Sequence, residues 1–181
     1  MKHLVLCLLA VGLVAGCSSL RVNTDFAEGT DFSKFKTFRY KESTNSIASS
    51  SPLSHQRIVN AIKRGMTSSG LTEVDENPDV HVTYYGSTDQ ETHFTTTYSG
   101  VNTWHGSNRH RSSVGFGVTS STTRPTTVTR GTLVIDIWDA SENALLWRSV
   151  ATSTLSSNPE RNTQTINSAV EQAFENFPPQ Q

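Results

Sequence analysis

The sequence is short of cysteine, of net charge and of long apolar runs, and each shortage closes off a class of chemistry. Among its 181 residues are two cysteines, Cys7 and Cys17. Beyond Cys17 the chain has no thiol for a disulfide, a zinc site or a cysteine nucleophile, so its stability has to come from a packed core. Charged residues make up 17% and nearly cancel, 15 basic against 16 acidic. A nucleic-acid surface is usually strongly basic, and nothing here has that character. After the first turn of sequence no apolar run approaches the roughly 20 residues that cross a bilayer as a helix. Motifs of catalysis are missing as well. There is no Gly-x-Ser-x-Gly elbow, no Gly-rich phosphate loop and no internal repeat, and Gly115-Phe116-Gly117 is a lone Gly-x-Gly that suits a twisted edge strand.

What is present begins with Met1-Lys2-His3, an apolar run from Leu4 to Val14, and then Ala15-Gly16-Cys17. One positive charge, about ten apolar residues and small residues before a cleavage point form the layout of a signal peptide. Leu13-Val14-Ala15-Gly16-Cys17 resembles the bacterial lipobox. There the cysteine thiol receives a diacylglycerol, and cleavage frees its amine for a further acyl chain. We therefore expect residues 1–16 to be a lipoprotein signal, Cys17 the lipidation site and 17–21 a lipidated tether. Loss of Lys2 leaves 14 basic against 16 acidic residues, and the remaining 165 residues suit one domain. Ser18 stands where an aspartate would resemble the inner-membrane retention signal, so the expected address in a two-membrane cell is the outer membrane.

The rest of the chain reads as one periplasmic domain over 22–181. Thr37 to Tyr40 suits a strand with Phe38 and Tyr40 on one face. Ser51-Pro52 opens a helix whose stripe is Ile58, Ile62 and Met66, and Gly70 supplies its left-handed end. Asn158-Pro159 opens a second, with Ile166, Val170 and Phe174 as its stripe and Pro178-Pro179 to stop it. Strands are expected at 80–85, 132–138 and 145–154, the last two joined by a turn at 140–144. In 92–129, 17 of 38 residues are Ser or Thr. Short strands at 92–98 and 114–119 flank a loop there. With no regular strand–helix alternation, the expected fold is α+β: a single antiparallel sheet with two helices packed on one face.

Four segments together resemble a widespread bacterial domain-of-unknown-function family of envelope lipoproteins. They are Asp31-Phe32-Ser33-Lys34-Phe35-Lys36-Thr37-Phe38, Pro52-Leu53 with Gln56-Arg57-Ile58, Pro78-Asp79-Val80-His81-Val82, and Thr132-Leu133-Val134-Ile135-Asp136-Ile137 followed by Leu145-Leu146-Trp147-Arg148. The chain departs from the pattern in its Ser/Thr-rich middle and at Ser149, where a glycine is common. The resemblance implies an envelope lipoprotein and carries no catalytic residue across.

Candidate sites are few. Five histidines follow the signal: His55, His81, His93, His105 and His110. None shows the four-residue helical spacing of a zinc protease, though His81 and His93 could face each other across a hairpin. Asp75-Glu76 and Asp79 sit around a turn, where solvation explains them. Arg109 and Arg111, near Trp104, mix charge with an aromatic and could contact lipopolysaccharide, peptidoglycan carboxylates or another envelope protein. In the final hairpin, alternation puts Leu133, Ile135 and Ile137 toward the helices. Asp136 then falls on the open face, near Arg148, in a partly exposed ion pair of at most about 1 kcal/mol. Trp138 beside it is the aromatic expected to be exposed for a partner, whereas Trp147 is expected in the core. The reading is a non-enzymatic binding or assembly module of the cell envelope, without metal or cofactor. The alternative is a hydrolase acting on an envelope polymer.

Overall fold

The computed structural model describes residues 19–44, 46–101 and 118–179. Six strands, β1 (Arg21–Phe26), β2 (Thr37–Tyr40), β3 (Thr72–Glu73), β4 (Val80–Val101), β5 (Val118–Asp139) and β6 (Leu145–Thr154), form one sheet in the order β1-β6-β5-β4-β2-β3. Two helices, α1 (Pro52–Ser68) and α2 (Pro159–Phe174), pack on one face of it.

The sheet is mixed, which corrects the all-antiparallel expectation. Strand β2 runs parallel to both β3 and β4, and the other pairings are antiparallel. The physical reason lies in α1. Parallel neighbours need a crossover connection, usually a helix, and α1 lies in the segment that joins β2 to β3 and β4. A single strand–helix–strand unit at one end of the sheet leaves no repeated alternation in the sequence.

Helix ends follow local chemistry. Past Ser68, Gly70 adopts a left-handed φ of +91°. Its N–H donates to the Thr67 carbonyl and the Leu71 N–H to the Met66 carbonyl, the paired bonds of a Schellman end, with Leu71 buried beneath. Asn158 caps α2, its side chain accepting from the N–H groups of Glu160 and Arg161. Ser51 precedes Pro52 as expected but makes no side-chain cap bond.

Alternation fills the core. Ile58, Ala61, Ile62 and Met66 of α1 and Ala169, Val170, Ala173 and Phe174 of α2 meet Phe38, Val80, Val82, Tyr84, Ile135 and Ile137 of the sheet, all buried. The helices approach closely at Gly65, where a Cβ would stand 2.5 Å from the Phe174 ring. Phe174 in turn stacks on Trp147 at 5.4 Å between centroids, and Phe177 bridges Trp147 to Phe32. The expected core place of Trp147 holds: it is 2% exposed.

Strands β4 and β5 are far longer than their expected pieces. They pair continuously from Val80↔Asp139 to Val101↔Val118, so the Ser/Thr-rich stretch is strand rather than loop up to Val101 and from Val118. Strand β6 accompanies β5 only as far as Arg130↔Thr154. Beyond that point a two-stranded ribbon continues for roughly 40 Å, at about 3.3 Å per residue.

Two outcomes test this packing. Gly65→Ala gains about 1 kcal/mol of helix propensity yet should destabilise by about 1–3 kcal/mol through the clash with Phe174. In a Phe174→Ala background the same change should be neutral or stabilising, as urea unfolding of both backgrounds will show. Ser149 is 1% exposed and its hydroxyl has no hydrogen-bond partner among the described residues. Ser149→Ala should therefore raise stability by about 1 kcal/mol, since an unsatisfied buried hydroxyl carries a desolvation cost.

Candidate functional site

The open face of the sheet is set by the odd–even alternation of β5. Leu133, Ile135 and Ile137 point to the helices as expected, and Asp136 points away. Asp136 lies directly opposite Arg148, whose Nε and Nη2 donate to its two carboxylate oxygens, each at 2.7 Å. Both contacts are short and together form a bidentate fork. The Asp136 side chain is 15% exposed and that of Arg148 47%, so the carboxylate is largely covered while the guanidinium meets solvent. The hydrogen bonds that Arg148 donates to Asp136 hold its pKa above the ordinary value. Asp25 of β1 sits on the other side of Arg148 in the same row.

Around the pair, register sets Trp138 beside His81, and Tyr85 beside Val134, with Val150 next in the same row. Trp138 is half-buried, so the expectation that it is the exposed aromatic is corrected: Tyr85, 43% exposed, takes that place. A bulge between Ile137 and Trp138 shifts the hairpin register, pairing Trp138 with Leu145 and letting Leu146 and Trp147 both sink into the core. Sequence alternation alone could not foresee that shift.

Other expected sites resolve differently. Cys17, Trp104, His105, Arg109, His110 and Arg111 lie outside the described residues. His81 and His93 do not face each other across a hairpin: both belong to β4 and pair with Trp138 and Thr126 of β5. His81 Nδ1 is buried without a partner among the described residues, and burial, with Lys41 and Arg39 nearby, lowers its pKa from 6.5. Among the described residues no group of three or more His, Cys, Asp or Glu side chains could hold a metal. Asp79 is more than a solvated turn residue. Its carboxylate accepts from the N–H groups of Lys36 and Thr37 at 2.8 and 2.9 Å, while its own N–H donates to the Thr37 hydroxyl. Those backbone bonds lower its pKa. Asp139 likewise holds the final turn, accepting from Ser141 and Glu142.

One constellation escaped the sequence. His55 Nδ1 lies 2.7 Å from the Tyr84 hydroxyl, and Glu42 stands 3.7 Å from His55 Nε2 and accepts from the Tyr40 hydroxyl. Carboxylate, imidazole and hydroxyl follow the order of a proton relay. The relay ends on a phenol that is 1% exposed and whose pKa is pushed up to about 12 by burial. Such a group donates a hydrogen bond and ties α1 to β4; it is a poor nucleophile. These residues come from three separate elements, and no spacing in the chain signals them.

A groove of about 530 Å³ opens where the sheet leaves the helices, at the root of the ribbon. Ile47, Ile58, Leu133, Leu155 and Ile166 form its wall, hydroxyls such as Ser54 and Thr165 its rim, and no charged side chain lines it. Leu20, at the start of the described chain, is part of the lining.

Residues 22–179 match the family model described as domain of unknown function (DUF4136). The chain belongs to that family. No curated protein is found to be similar to it. Among solved structures it is similar to a PDZ domain protein from Parabacteroides distasonis, with a TM-score of 0.57 and 18% identity over 91% of this chain. It spans 38% of the length of that protein, and the likeness is one of fold. Weaker likenesses are to the PelC dodecamer from Paraburkholderia phytofirmans, at a TM-score of 0.48, 10% identity and coverage of 90% and 99% of the two chains. A minor lipoprotein from Acinetobacter baumannii gives 0.37, 9% identity and 79% and 92% coverage. Scores this low bear no functional argument. The four segments noted in the sequence have structural work in this family member: Asp31 caps a short turn, Asp79 fastens β2 to β4, Phe32, Phe38, Ile58 and Trp147 fill the core, and Arg148 pairs with Asp136.

The open-face pair is testable by a double-mutant cycle of Asp136→Ala and Arg148→Ala. The expected coupling is about 1 kcal/mol, the upper end for partly exposed pairs, because the fork is bidentate. Unfolding in urea at low and at high salt will read it, with the coupling smaller at high salt.

Proposed function

We propose that this chain is a lipoprotein held to the outer membrane through acylated Cys17, and that its periplasmic domain is a non-enzymatic binding or assembly module of the cell envelope. The observation that carries the reading is the β4–β5 ribbon. A two-stranded ribbon is marginal by itself in water, and this one presents Phe94 and Tyr98, 71% and 72% exposed, on the same face. On that face the Thr96–Thr123 hydroxyl contact lies between the rings and the Thr92–Thr127 contact before them. An arm of paired backbone with aromatic rings and unfilled edges suits recognition of another envelope component. The N-terminal lipobox supports the anchor, and among the described residues no helix is long and apolar enough to cross a membrane. The Glu42–His55–Tyr84 relay offers a hydrolase little, because its phenol is buried.

Crosslinking of the intact protein in its own envelope tests the reading. Photoreactive residues at Phe94 or Tyr98 should capture one envelope component, and Phe94→Ser with Tyr98→Ser should abolish capture with a stability change within about 0.5 kcal/mol, as for exposed sites. Capture of nothing at either position, with the wild-type protein folded and anchored, would refute a binding arm. For the anchor, Cys17→Ala should leave the protein soluble or unprocessed, because stable anchoring takes two lipid signals or more. Fractionation of a processed mutant with the outer membrane would contradict it.

A further inference from the structure

We propose that the groove at the root of the ribbon is an acyl-chain site, and that its occupant is one of the chain's own fatty acyl groups on Cys17. The proposal rests on the lipoprotein reading above and adds a second place for the lipid besides the bilayer.

Three observations converge. First, the groove has an apolar wall, a hydroxyl rim and no charge, with a volume of about 530 Å³. Ligand pockets run from about 300 to 1,000 Å³, and a wall of Ile58, Leu133, Leu155 and Ile166 without a single ion suits a hydrocarbon rather than a sugar or a peptide terminus. Second, the tether is fixed at its mouth. The Ser19 hydroxyl lies 3.2 Å from that of Ser153 and accepts from the Thr154 N–H, and the next residue, Leu20, lines the groove. Third, Cys17 is three residues before Leu20, which bounds its distance to roughly 11 Å for a fully extended chain. An acyl group on Cys17 therefore starts within reach of this uncharged groove, and burying it there removes apolar surface from water. The hydroxyls of Ser54 and Thr165, both partly exposed, would face the ester end, where the polarity of the lipid lies.

The slot and the membrane compete for the same chain. While the lipoprotein is in water between membranes, one acyl group would be sheltered; on reaching a bilayer it would be released.

The experiment uses the mature lipidated protein. Intact mass of the N-terminal peptide first establishes whether Cys17 is acylated. A photoreactive residue in place of Thr165, irradiated with the protein held in water before it meets a bilayer, should then join the α2 segment that carries it to the acyl group of the N-terminal peptide. Ile166→Glu should abolish the link, since a carboxylate in the wall opposes hydrocarbon; should that variant not fold by circular dichroism, Ser54→Glu at the rim replaces it. As a second readout, unlipidated Cys17→Ser protein should bind a fluorescent long-chain fatty acid at least about tenfold more tightly than the lipidated form, whose site is filled. An unmodified Cys17 overturns the lipoprotein reading and this proposal with it. Acylated Cys17 without the link, or a link that survives in a folded Glu variant, overturns this proposal alone. Equal fatty-acid binding by both forms would show a slot open to other lipids and overturn the assignment to the chain's own lipid.

Discussion

The register between β4 and β5 governs the rest of the molecule. Because successive side chains alternate between faces, pairing Val82 with Ile137 and Tyr84 with Ile135 puts four core residues under the helices in one stroke. The same pairing sends Asp136, Trp138, His81 and Tyr85 to the opposite face. A slip of one residue would bury the Asp136 carboxylate and expose two isoleucines, so the register is strongly specified where the helices cover the sheet. Farther out, the ribbon is held by backbone pairing and by cross-strand side-chain contacts, among them the Thr92–Thr127 and Thr96–Thr123 hydroxyls and the Arg130–Glu91 ion pair.

Onto that central pair the flanking elements attach by distinct means. Asp79 fastens β2 to the start of β4 through two backbone amides, which fixes the parallel neighbour and so the crossover through α1. Tyr84 and His55 tie the first turn of α1 to β4, and Gly65 lets α1 reach the Phe174 ring of α2. The aromatic cluster of Phe32, Trp147, Phe174 and Phe177 closes one end of the core, while the uncharged groove opens the other. The two ends thus differ in kind: one is sealed by rings, the other left unfilled beside the N-terminal tether and the root of the arm.

Much of this domain is local chemistry, and there the sequence was sufficient. Pro52 and Gly70 delimit α1, Asn158 and Pro159 start α2, and four-residue stripes name their buried faces, because capping and helical periodicity involve neighbours in the chain. The alternation of Leu133 to Ile137 likewise announced which side of β5 is buried and that Asp136 would meet Arg148. Tertiary structure alone decided what depends on distant partners. The parallel pairing of β2 came from Asp79, 42 residues beyond Thr37. The strand character of the threonine-rich arm came from continuous pairing with β5, since isolated hydroxyl-rich segments carry little hydrophobic pattern. The Glu42–His55–Tyr84 contact, the bulge that sinks Leu146 beside Trp147 and the groove lined by Leu20 and Ile166 all join residues from separate elements, and only packing brings such residues together.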